Sequence, residues 1–163
     1  MKKVLLVLGM VAMTICSFAQ VTIERSVDEM TDKVSYRPSE RFIAANAEQT
    51  KGCAIDMVID EKNGLKQADF MAITMVGLSP CNENNTLIVL FENGEKFTLN
   101  SWNKFNCKGF AYFTLSKSNI KALSSNPISK VRITNGKSYK SYTAEVEYKN
   151  YFIELYGALN PEE

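Results

Sequence analysis

Leu87-Ile88-Val89-Leu90-Phe91-Glu92-Asn93-Gly94-Glu95-Lys96-Phe97-Thr98-Leu99-Asn100 decides the fold of this chain. Two short runs rich in apolar and β-branched residues flank an Asn-Gly pair. Such a pair is a strong short-range hairpin signal, because both central positions of a type I′ turn need positive φ. With Asn93 and Gly94 as a two-residue loop, Leu90 is expected opposite Phe97 and Ile88 opposite Leu99. That pairing gathers four apolar side chains on one face.

The same grammar extends in both directions. Val21 and Ile23 alternate with polar neighbours, and Val34 and Tyr36 do so again up to Pro38, which argues against a central strand there. Arg41 to Ala47 leans towards a strand. Ala54 to Ile59 reads as one, closed by a second Asn-Gly pair at Asn63-Gly64. Phe70 to Val76 is a near-continuous apolar run, expected to be buried on both faces. Beyond the central hairpin, Gly109 to Leu115 is a strand. Ser116 is placed as a helix N-cap, with Leu115 and Ile120 as a hydrophobic staple. That helix must stop before Asn126-Pro127. Ile128 to Thr134 and Tyr139 to Tyr148 are read as strands around a third pair, Asn135-Gly136. Phe152, Leu155, Tyr156 and Leu159 then recur at helical spacing. Eight or nine strands with two late helices, and no strand-helix alternation, predict a mainly β (α+β) fold. The expected form is a mostly antiparallel sandwich or curled sheet with one or two short helices in the second half. No linker divides residues 20–163, which read as one β-rich domain.

Composition narrows the function. The 163 residues carry 19 basic and 18 acidic side chains, 45% hydrophobic residues, 9 Phe, 7 Tyr and 1 Trp. Such a chain can bury enough apolar surface to order itself. Its charge balance creates no field to draw nucleic acid or anionic lipid. The absence of histidine removes Ser-His-Asp triads, Cys-His dyads and His-ligated zinc.

Residues 1–19 carry an export address. Lys2 and Lys3 precede an apolar run from Val4 to Ile15, and Ser17-Phe18-Ala19 offers small residues at the cleavage positions before Gln20. The run is too short to span a bilayer, which needs about 20 apolar residues. A lipoprotein acylated at Cys16 is the rival, with Ile15 a poor fit before the cysteine. No later segment is a membrane span. The expected destination is the periplasm or the cell surface.

After cleavage Cys53, Cys81 and Cys107 remain. An oxidising compartment favours one disulfide and one thiol left over. Cys81 and Cys107 lie nearly opposite at the open end of the central hairpin, so this pairing is favoured, with Cys53 a buried hydrophobe. The rival is Cys53 bonded to either of the others.

Candidate chemistry is sparse. Asp28, Glu29 and Asp32 lack the glycine and closing acid of a calcium loop and read as a solvated turn. Asp56, Asp60 and Glu61 are candidate paired carboxylates of a glycosidase, which would have to face each other across a cleft. Cys53 has Lys51 nearby but no histidine base, which favours an inert thiol. There is no phosphate-cradling glycine loop and no metal-spaced cysteine pair. No catalytic residue, metal or cofactor is assigned. Aromatic side chains on loops can stack on sugars or peptides. Trp102, with Phe105 and Phe110 nearby, and Tyr139 and Tyr142 of the last hairpin are the candidate binding residues, against the alternative that they finish the core.

Phe91-Glu92-Asn93-Gly94, Cys107-Lys108-Gly109-Phe110, the capped segment Thr114 to Leu123, and Pro127 to Ile133 resemble uncharacterised exported β-rich proteins of the Bacteroides group. The resemblance covers roughly a third of the exported chain and implies export and a β-rich fold, with no established activity. The expected function is a non-catalytic cell-envelope module that binds a protein or glycan partner. The alternative is a histidine-free hydrolase using paired carboxylates.

Overall fold

The structure is a computed structural model and describes residues 20–102 and 104–159. Residues 1–19, read from the sequence as an export address with Cys16 as the rival acylation site, lie outside the described residues. Two antiparallel sheets enclose the core. The first runs β1(Ile23–Val27), β2(Val34–Pro38), β4(Gly52–Lys62), β5(Leu65–Val76), β8(Phe110–Thr114), with β3(Phe42–Ala45) also on β4. The second runs β10(Lys140–Glu145), β9(Ile128–Asn135), β6(Thr86–Phe91), β7(Lys96–Asn100). The fold is thus mainly antiparallel β with two late helices, α1(Lys117–Ser125) and α2(Tyr151–Leu159). Among the described residues ten strands stand where eight or nine were expected.

One cluster of buried side chains joins both sheets and α2, including Ile55, Met71 and Phe113 from the first sheet, Leu87, Val89 and Ile133 from the second, and Phe152 and Leu155. Ser116 caps α1 as expected: its hydroxyl accepts from the Asn119 N–H, and the Asn119 side chain accepts from the Ser116 N–H. Asn126 then takes an extended conformation before Pro127, ending the helix.

The three Asn-Gly pairs behave differently. Asn63 and Gly64 both adopt positive φ, 54° and 79°, in a two-residue loop between Lys62 and Leu65. At the central hairpin only Gly94 does, with φ 85°. Asn93 instead accepts the Glu95 N–H on its side chain at 2.9 Å, and Phe91 N–H bonds Glu95 O at 3.0 Å across a three-residue loop. The register is therefore one residue from that expected: Leu87 faces Leu99 and Val89 faces Phe97. A one-residue slip exchanges faces, so Leu87, Val89 and Phe91 are buried while Ile88 and Leu90 lie on the outer side, half-buried. At the third pair, Asn135 belongs to β9 and faces Lys140, leaving a four-residue loop, 136–139. The returning strand starts at Lys140 and ends at Glu145, so Tyr139 belongs to the loop. The Phe70–Val76 run is fully buried on one face only: Met71, Ile73 and Met75 point inward, whereas Phe70, Ala72 and Thr74 are half-buried on the outside.

Candidate functional site

The loops at one end of the molecule are cross-braced. Asn82 and Asn106 exchange both backbone hydrogen bonds, at 2.8 and 3.1 Å. That places Cys81 and Cys107 at the next, non-hydrogen-bonded position of the same antiparallel register, where side chains lie closest, and they form the disulfide. Cys53 is the free, buried cysteine; burial pushes its thiol up to about 12, which makes it a poor nucleophile.

Asparagines fill the space behind the disulfide. Asn82, Asn85 and Asn135 are fully buried polar residues. Asn85 donates to Asn82 Oδ1 at 2.7 Å, and Asn82 donates to Asn106 Oδ1 at 3.2 Å. Asn135 donates to Cys81 O at 2.9 Å and Leu78 O at 3.3 Å, while its Oδ1 accepts from the Lys137 and Ser138 N–H groups. One side chain thus serves two loops at once. Gly136 completes the brace, since a Cβ there would lie 2.3 Å from the carbonyl oxygens of both Glu83 and Asn84.

This rigid end presents aromatic surface. Trp102 is 60% exposed, Phe105 51% and Tyr139 88%. The Trp102 N–H bonds Tyr112 O at 3.1 Å, and its ring stacks on Tyr112 with centroids 5.2 Å apart and planes 27° apart. Lys137 Nζ lies 5.6 Å from the Phe105 ring centroid, joining the 136–139 loop to the loop after Trp102. Tyr139 holds φ at 57°. Trp102 and Tyr139 are therefore surface residues of one end. Tyr142 sits opposite Ile133, half-buried against the core. Strand alternation explains the difference, because Tyr142 shares its side of β10 with buried Ala144.

From Trp102 a lateral row crosses the outer face of the first sheet. Tyr112 faces Ala72, and Ala72 faces Asp56. Thr74 and Phe110 lie on one side of this row, Phe70 and Thr114 on the other. The row ends at a cleft of about 450 Å³ lined by charged side chains, among them Glu24, Arg37, Glu40, Arg41 and Asp56. The cleft exists because β2 and β3 share one edge of β4. β3 pairs with Gly52–Ile55 and β2 reaches Ile59, leaving Asp56 to Val58 between them. Arg41 grips Asp56 through both guanidinium branches, with Nε to Oδ1 at 2.6 Å, and Arg37 pairs with Glu24 at 2.9 Å. Beside Asp56 the Arg41 pKa is raised, chiefly by that hydrogen bond. Tyr151 closes the floor, donating to Glu40 O at 2.6 Å; burial first, then the charges of Asp56 and Glu40, raise its pKa.

Of the carboxylates singled out by sequence, Asp60 and Glu61 line one cleft and Asp56 another. Asp56 is held by Arg41 while Glu61 accepts from Tyr36, five residues further along β4. At the rise of a strand those positions lie about 16 Å apart. The acids that do share a cleft with Asp56 are Glu24 and Glu40, from β1 and the β2–β3 connection. Pro38, read from the sequence as arguing against a central strand, ends β2, which nonetheless lies between β1 and β4 in the sheet. The Asp28–Asp32 segment is a turn, in which Asp28 accepts from the Met30 and Thr31 N–H groups. Among the described residues no group of three or more His, Cys, Asp or Glu can hold a metal ion, and no helix is long and apolar enough to cross a membrane.

Comparison with protein-family models, with curated proteins and with solved structures finds no match for this chain.

Proposed function

We infer that this chain is an exported, non-catalytic module of the cell envelope that binds a protein or glycan partner through its braced aromatic end. One observation carries the reading. Trp102, Phe105 and Tyr139 are exposed on loops held by a disulfide and a buried asparagine network, so little ordering entropy remains to be lost on binding. Large, rigid aromatics are the side chains that dominate binding energy at interfaces. The export segment, the disulfide and the resemblance to exported Bacteroides-type proteins support an envelope destination.

The hydrolase alternative rests on Glu24, Glu40 and Asp56 sharing the charged cleft. The test is capture from the envelope fraction followed by mass analysis of what is captured. A binding module loses capture with Trp102→Ala and returns its partner chemically unchanged. A hydrolase returns shortened products, and stops doing so when Glu24, Glu40 and Asp56 are replaced by their amides.

A further inference from the structure

We propose that the row Trp102–Tyr112–Ala72–Asp56 and the charged cleft at its end form one track for a neutral oligosaccharide. This rests on the reading of the aromatic end as the contact surface and names the class of its partner. One end offers an aromatic face. The ring of Trp102 is fixed in orientation by Tyr112 behind it and remains 60% exposed, the arrangement that stacks against the apolar C–H face of a sugar ring. The middle is level, since Ala72 and its diagonal neighbour Ala54 raise no ridge and Thr74 and Thr114 supply hydroxyls beside them. The other end is dense in donors and acceptors yet nearly balanced in charge. Arg41 is paired with Asp56 and Arg37 with Glu24, with Glu40 alongside. Such paired groups keep lone pairs and N–H bonds for vicinal hydroxyls, and three acids against two arginines leave a net charge of only −1, which favours no anion. Asp56 belongs to both the row and the cleft, so the two ends are continuous. Two inter-strand steps and the 5.2 Å ring stack separate Trp102 from Asp56, about 15 Å in all, a span for a short chain of sugars and too long for one.

Trp102 is the chain's one tryptophan, so fluorescence excited beyond the tyrosine absorption band reads this site alone. The mature protein is titrated with linear hexasaccharides of glucose, mannose and N-acetylglucosamine and with the three monosaccharides, and calorimetry repeats the titrations on variants. One hexasaccharide is expected to shift Trp102 emission saturably and to bind at least roughly tenfold more tightly than its monosaccharide. Trp102→Ala should weaken it by roughly tenfold or more, and Arg41→Ala, at the far end, by a smaller factor with unchanged folding. The proposal is overturned if no saccharide gives a saturable shift, if the monosaccharide binds as tightly, or if Arg41→Ala has no effect. Trp102-dependent capture of an envelope protein without any saccharide binding overturns the glycan track and leaves the aromatic-end reading standing. Loss of Trp102 dependence in both assays overturns both.

Discussion

Replacing Cys81 and Cys107 together by alanine isolates what the disulfide contributes. The bond closes a sequence separation of 26 residues. In the chain-entropy treatment a loop of that size stabilises the folded state by about 3.5 kcal/mol at 25 °C. Packing adds little, because Cys107 is exposed and Cys81 only half-buried. For a chain of this size the loss corresponds to a fall of about 10 °C in Tm. The Asn82–Asn106 bridge and the Asn135 hydrogen bonds remain, so the end should loosen without the core unfolding. Guanidinium unfolding curves of the wild type, the variant and the reduced wild type give the three free energies. Reduced wild type and variant should agree. A loss below about 1 kcal/mol would refute the claim that this bond braces the loops, and a bridge involving Cys53 would refute the pairing itself.

Other perturbations report on separate parts of the structure. Gly136→Ala drives a methyl into two backbone carbonyls and should cost about 1–3 kcal/mol by chemical denaturation, although φ at this position is not positive. Trp102→Ala should lower stability by no more than about 1.5 kcal/mol, the value of its stack on Tyr112, whereas a core tryptophan would cost about 3–5 kcal/mol; thermal melts decide. Burial raises the Cys53 thiol from 9.0 to about 12. The folded state therefore keeps a proton that the unfolded state loses, and this contribution to stability falls by about 1.4 kcal/mol per pH unit between those values. Unfolding at pH 8 and pH 11 should show a smaller difference in Cys53→Ala than in the wild type. Tyr148, raised to about 12 first by burial and then by its hydrogen bond to Glu154, adds a separate alkaline loss that the cysteine variant retains.

Where local chemistry decides, the sequence was legible. Ser116 and Asn119 supply both halves of the α1 cap, Asn126-Pro127 stops it, and the continuous apolar run from Leu87 to Phe91 makes a strand in any register. The register itself was not legible. Asn-Gly supports both a two-residue loop with two positive φ angles and a three-residue loop with one, and at Asn93 the side chain's own hydrogen bond to Glu95 selects the second. Asn135 was misread for a long-range reason: its partners, Leu78 and Cys81, are more than 50 residues away. The aromatic residues of the site were visible as residue types. Their exposure was not, because it depends on which loops the disulfide gathers. Nor was the charged cleft, whose Glu24, Glu40 and Asp56 come from three separate stretches and meet only because β2 and β3 divide one edge of β4.

The central claim is that the aromatic end is the surface through which this protein binds. A quantitative pull-down from the envelope fraction, using the mature protein, a Trp102→Ala/Tyr139→Ala variant and an Asp60→Asn/Glu61→Gln control, tests it most directly. Melting curves first establish that all three are folded. The account predicts that the wild type and the control capture the same component in equal amount and that the aromatic variant captures none of it. Equal capture by the folded aromatic variant would contradict the account.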